Sequence, residues 1–133
     1  VENSTYGDEA VVRFCPDGGY YGGTYETKDP RVQEQIIRWV KEDFDCCFSV
    51  FDFTDHTGHL NSFSPQNEPY MNALTKGISM IGEIIDAVKS RPSYAKEDWL
   101  FAISTDHGGI GSNHGGQRLE ERTIFIYTNK QIK

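Results

Sequence analysis

Residues 46–53 read CCFSVFDF and run straight into TDHTGH, residues 54–59. The first eight residues are apolar, aromatic and β-branched with almost no polar interruption. Such a run is expected for a strand covered on both faces, as in a parallel sheet between helix layers. The run WLFAIS (Trp99–Ser104) has the same character and gives way to TDHGGIGSNHGG, residues 105–116. Two shorter runs, AVVRF (Ala10–Phe14) and TIFIY (Thr123–Tyr127), complete a set of four expected strands.

Two helices are expected between these strands. Asp29 is placed to cap the first, with Pro30 at its first helical position. Val32, Ile36, Val40 and Phe44 follow at four-residue spacing and form one apolar face, with Trp39 beside it. The second runs from about Glu68 to Ser90, with a stripe of Leu74, Ile78, Ile81, Ile85 and Val88, and ends at Arg91-Pro92. Gly77 and Gly82 in that helix would allow close packing on a sheet. The stretch PDGGYYGGTYETKDP before the first helix and TDHTGHLNSFSPQNEP before the second are expected to be loops. This alternation predicts an α/β fold, a mainly parallel sheet with helices packed on it. The whole chain, residues 1–133, forms a single domain on this basis, and a partial one.

The chain has 133 residues and a net charge of −7. That balance disfavours a nucleic-acid polymer or an anionic membrane surface as partner. No apolar run approaches the about 18 residues of a membrane span. No signal peptide is visible in these residues, and nothing in them fixes a compartment. Three cysteines, Cys15, Cys46 and Cys47, do not form a disulfide framework, and the adjacent pair is expected to be buried thiols.

All four histidines lie in the two polar segments that follow the apolar runs. Asp55 and His59 form D-x-x-G-H, in which Gly58 would let the backbone turn so that carboxylate and imidazole converge. Asp106 and His107 are followed by two glycines, and His114 by two more. In an α/β sheet, ligands bind beyond the carboxyl ends of the strands. If the two strands are neighbours, Asp55, His59, Asp106, His107 and His114 meet at one edge. Their N and O donors suit zinc, or another divalent ion such as manganese. His56 is expected to face solvent or support a ligand. A phosphate-binding nest in GGIGSNHGG has neither the lysine nor the spacing of a phosphate loop.

As an ordered set, FDFTDHTGHLNSFSP, IGEIIDAV, DWLFAISTDHGGIGSNHGG and LEERTIFIY resemble the type I phosphodiesterase/nucleotide pyrophosphatase branch of the alkaline phosphatase superfamily. The resemblance covers about Asp45 to Tyr127. It implies a hydrolase of phosphoric esters with two divalent metal ions, usually zinc, and a small phosphate-ester substrate. Asp55, His59 and His114 would bind one ion, and Asp106 and His107 the other. The family's threonine or serine nucleophile and a further metal-binding aspartate lie upstream, and no equivalent is found here. Cys15-Pro16-Asp17 is too close to the next motif. Ile124 stands where the family commonly has proline, and Ser79 where it often has aspartate. The resemblance thus implies a C-terminal part of a catalytic domain. The parent protein would be the enzyme, and the isolated chain would turn over little substrate. A sulfatase or phosphomutase of the same superfamily, or a non-catalytic metal-binding fragment, are the alternatives.

Overall fold

The computed structural model describes residues 25–42 and 46–131. They form α1 (Tyr25–Lys41), α2 (Phe53–Asn61), α3 (Glu68–Lys89), a 3-10 turn (Tyr94–Lys96), β1 (Ala102–Ser104), α4 (Leu119–Arg122) and β2 (Ile126–Thr128). The expected strand Ala10–Phe14, the glycine- and tyrosine-rich stretch up to residue 24, Cys15 and Phe44 lie outside the described residues.

The expectation of a mainly parallel sheet is wrong for the described residues. Helices dominate, and β1 and β2 form one antiparallel pair with Ile103 opposite Tyr127. Residues 46–52 have no ladder partner among the described residues. Their side chains alternate: Cys47, Ser49 and Phe51 are half-buried, while Phe48 and Val50 are 69% and 58% exposed. One face is covered and the other is open. A continuous apolar run records that a segment is greasy, not how many of its faces are covered. Cys46 is accordingly exposed and Cys47 half-buried, rather than both buried.

The expected helices fare better, with shifted limits. The long helix α3 matches to within a residue. Asn67 caps it, its side-chain oxygen accepting the N–H of Tyr70 at 3.0 Å. Its buried face carries Ala73, Met80 and Val88, whereas Ile78 is 60% exposed. α3 packs on both α1 and α2 instead of on a sheet. Near Gly77 the closest neighbour is Thr54 of α2, and Gly82 faces open space. α1 begins before Asp29, so Pro30 lies inside it and Asp29 is not its cap. The core joins Ile36, Trp39 and Val40 of α1 to Val88 of α3, with Cys47, Tyr94, Trp99 and Phe101 packed against it. Each fully buried aliphatic chain there contributes about 1.5–3 kcal/mol.

One polar knot closes the end of this core. Arg91, just after α3, binds both oxygens of Glu97, at 2.9 Å and 2.7 Å, and donates to the Val40 carbonyl of α1. Ser93 and Trp99 add hydrogen bonds to the same carboxylate at 2.6 Å and 2.7 Å. These four donors hold the Glu97 carboxyl down at about 2, well below its usual value. The knot fixes where the chain leaves α3 and starts toward β1, and so where the glycine loop after β1 begins.

Candidate metal centre

Two segments build the site. The first is α2, a helix where the polar stretch TDHTGHLNSFSPQNEP is expected to be a loop. A carboxylate and an imidazole four residues apart share one face of a helix, so Asp55 and His59 converge by helical spacing and not by a glycine turn. Thr57, on the opposite face, is buried, as is Gly58 beside Asp55. Asp55 stands in the first turn, where the helix dipole favours negative charge.

α2 starts where it does because α1 holds its first turn. Asp29, almost completely buried, accepts the N–H groups of Asp52 and Phe53, each at 3.0 Å. These N–H groups open the helix and have no partner within it. Beside them Lys28 pairs with Asp52. Burial raises the Asp29 pKa, against the lowering effect of the two backbone hydrogen bonds. The helix ends at Ser62, whose φ of 114° turns the chain away.

The second segment is the loop after β1. Ile110 and Asn113 bridge each other, and Phe63, just beyond α2, donates its N–H to the Gly111 carbonyl at 2.6 Å. Glu121 of α4 clamps the far side, accepting the N–H groups of Gly116 at 2.9 Å and Arg118 at 3.2 Å. The Phe63 ring lies edge-on to His59 and His114, with centroids 5.3 Å and 6.0 Å away. A β-carbon on Gly58 or on Gly109 would collide with that ring. The two glycines therefore let Phe63 wedge between the two segments.

The two segments meet although residues 46–52 and β1 do not pair. Asp55, His107 and His114 each offer one ligating atom, all within 4.8 Å of one another. Nε2 of His114 lies 3.5 Å and Nε2 of His107 3.9 Å from Asp55 Oδ1. Nε2 of His59 lies 3.4 Å from Asp55 Oδ2 and 3.0 Å from His114 Nε2. The rings of His107 and His114 stack at 3.6 Å. Asp106 Oδ2 is 3.3 Å from His107 Nε2, but its side chain is 86% exposed and stands at the rim. All five expected residues thus lie together, with three histidines around Asp55 and Asp106 beside His107.

Protons decide what this arrangement can hold. His59 Nδ1 is 2.9 Å from the Ser112 carbonyl, and His107 Nδ1 is 2.9 Å from the Gly108 carbonyl. A carbonyl only accepts, so both Nδ1 atoms carry hydrogen. In the neutral ring this leaves Nε2 with a bare lone pair, and both Nε2 atoms point into the cluster. Asp55 Oδ1 is buried there without a hydrogen-bond partner. Lone pairs converging on a buried carboxylate oxygen could hold a cation, and nitrogen and oxygen donors are among those that zinc takes.

Sequence reasoning missed Asp29, Phe63, and the carbonyls of Ser112 and Gly108. A lone aromatic in the polar stretch LNSFSPQ was the available sign of Phe63. Asp29 carried none, because a helix N-cap and a buried cap for another helix look alike in sequence. Comparison with protein-family models, curated proteins and solved structures found no match to this chain. No helix among the described residues is long and apolar enough to cross a membrane.

Proposed function

We propose that this chain is the metal-binding part of a hydrolase that cleaves phosphoric esters, of the phosphodiesterase and nucleotide pyrophosphatase type. The observation that carries the proposal is the convergence of three histidines on the Asp55 carboxylate, His107 and His114 at its partnerless Oδ1 and His59 at Oδ2. The order of the motifs in the sequence supplies the reaction class. His59, His107, His114 and Asp55 would hold zinc, with Asp106 beside His107. Bound zinc supplies a Lewis acid for a phosphoryl oxygen and lowers the pKa of an attacking hydroxyl.

The chain's own residues prepare that chemistry. Ser112 and Gly108 keep two imidazoles in the tautomer whose Nε2 is free to bind metal. The Phe63 ring stands edge-on against His59 and His114 on one side of the cluster. The glycine loop leaves the other side open, with Asp106 at its edge. A small phosphate ester would approach from that side. The nucleophile belongs to a part of the parent protein upstream of these motifs.

The test is hydrolysis of bis(p-nitrophenyl) phosphate by the parent protein, before and after removal of metal. Activity should vanish with chelation, return with zinc, and be lost in Asp55→Ala. Full activity after chelation, or in Asp55→Ala, would overturn the proposal. The isolated 133-residue chain should bind zinc with little turnover.

A further inference from the structure

The resemblance in sequence implies two ions, with His107 and Asp106 serving one and Asp55, His59 and His114 the other. The geometry divides these residues differently. Resting on the metal-binding reading above, we infer that the described residues hold a single ion, with Asp55, His59, His107 and His114 as its ligands and Asp106 outside the set.

Three observations converge on this. First, His107 does not stand apart from the other group. Its ring lies face to face with His114 at 3.6 Å, and both Nε2 atoms are directed at the same oxygen, Asp55 Oδ1. Ions in two-metal sites lie roughly 4 Å apart, so their ligands must diverge around two centres. Here Asp55, His107 and His114 crowd within 4.8 Å around one.

Second, the hydrogen bonds leave too few protons for the cluster to satisfy itself. With His59 Nδ1–H committed to Ser112, its Nε2 can only accept from His114 at 3.0 Å. If His114 spends its Nε2 hydrogen there, none is left for Asp55 Oδ1, which is the one buried side-chain polar atom among the described residues without a partner. His107, its hydrogen given to Gly108, presents another bare lone pair. One divalent cation resolves all of these contacts at once.

Third, the charge suits one ion. Asp55 is the only carboxylate inside the cluster, since Asp106 is 86% exposed. Three neutral imidazoles and one carboxylate make a four-ligand shell of the kind zinc takes. A second dication beside the first would have no interior carboxylate to offset the repulsion.

The experiment is titration of the metal-free chain with cobalt(II), followed by the visible absorption that ligand geometry sets. One equivalent should bind, with bands characteristic of a four-coordinate nitrogen and oxygen shell. His107→Ala and His114→Ala should each weaken cobalt binding by more than the roughly 10–100-fold that loss of an outer-shell partner costs, and should alter the spectrum. Asp106→Asn should leave both affinity and spectrum within about threefold of the unaltered chain. Far-ultraviolet circular dichroism checks the fold of each variant, and His107→Gln serves if His107→Ala does not fold. Two equivalents of similar affinity, or a loss in Asp106→Asn as large as in His107→Ala, would overturn the single-ion assignment and leave the hydrolase proposal standing. No cobalt binding by the folded chain would overturn both.

Discussion

The buried carboxylate of Asp29 and the main-chain N–H of Phe53 meet at 3.0 Å, joining the second turn of α1 to the first residue of α2. The same carboxylate takes the N–H of Asp52. α2 has nine residues, too few to persist alone in water. Its first turn carries Asp55, so this hydrogen-bonded anchor in α1 determines where a ligand of the candidate metal centre stands.

Asp29→Ala should therefore destabilise the fold by about 1–3 kcal/mol, because it leaves two N–H groups without partners at a half-buried helix start. Urea unfolding measures this directly. The pH dependence has a definite sign. Burial raises the folded-state pKa of Asp29, so its contribution is greatest below the unfolded value of 3.8 and falls as pH rises through the folded one. Asp29→Asn should flatten that part of the stability profile. A stability loss no larger than that of an exposed aspartate would show that the anchor is idle.

Gly109→Ala should disturb the metal centre without touching a ligand. The new methyl group would occupy the space of the Phe63 ring, which holds His59 and His114 edge-on. Overpacking of this sort costs about 1–3 kcal/mol. The expected results are a lower melting temperature and weaker zinc binding. Phe63→Leu placed in the same chain should restore part of both, because a smaller side chain leaves room for the methyl. If the second substitution adds its own loss with no recovery, the ring and the glycine are not in conflict.

The candidate site was more legible in the sequence than the fold around it. Asp55, His59, His107 and His114 stand out because polar, metal-binding residue types cluster after apolar runs, and the structure brings them together. The path by which they meet was not legible. A four-residue spacing serves a helix face as well as a tight loop, and α2 forms because of an aspartate more than twenty residues upstream. The sheet failed for a similar reason. Residues 46–52 are apolar enough for a central strand, but strand pairing depends on partners that a local pattern does not specify. The end of α3 was readable because Arg91-Pro92 is a local stop signal.

Glu97 makes the fold acid-sensitive. Its carboxyl is held at about 2 by Arg91, Ser93 and Trp99, below its ordinary 4.5. A depressed carboxyl contributes stability above its unfolded pKa and loses it as pH falls through the folded one. Between about pH 4.5 and 2 the melting temperature should drop, and Glu97→Gln should remove most of that slope while lowering stability at neutral pH. A variant with the original acid profile would mean that other carboxyl groups carry the effect.

The adjacent thiols test the covering of residues 46–52. Cys46 is exposed, whereas Cys47 is half-buried against the core, and burial pushes its pKa up to about 11. At pH 8 its thiolate fraction is roughly a hundredfold below that of a thiol at the ordinary value, which slows reaction with iodoacetamide in proportion. In a Cys15→Ser background, peptide mapping after brief alkylation should find label on Cys46 long before Cys47. A strand covered on both faces would protect both thiols together. Equal protection would restore the two-faced strand, and unequal labelling would confirm that one face of this apolar segment is open.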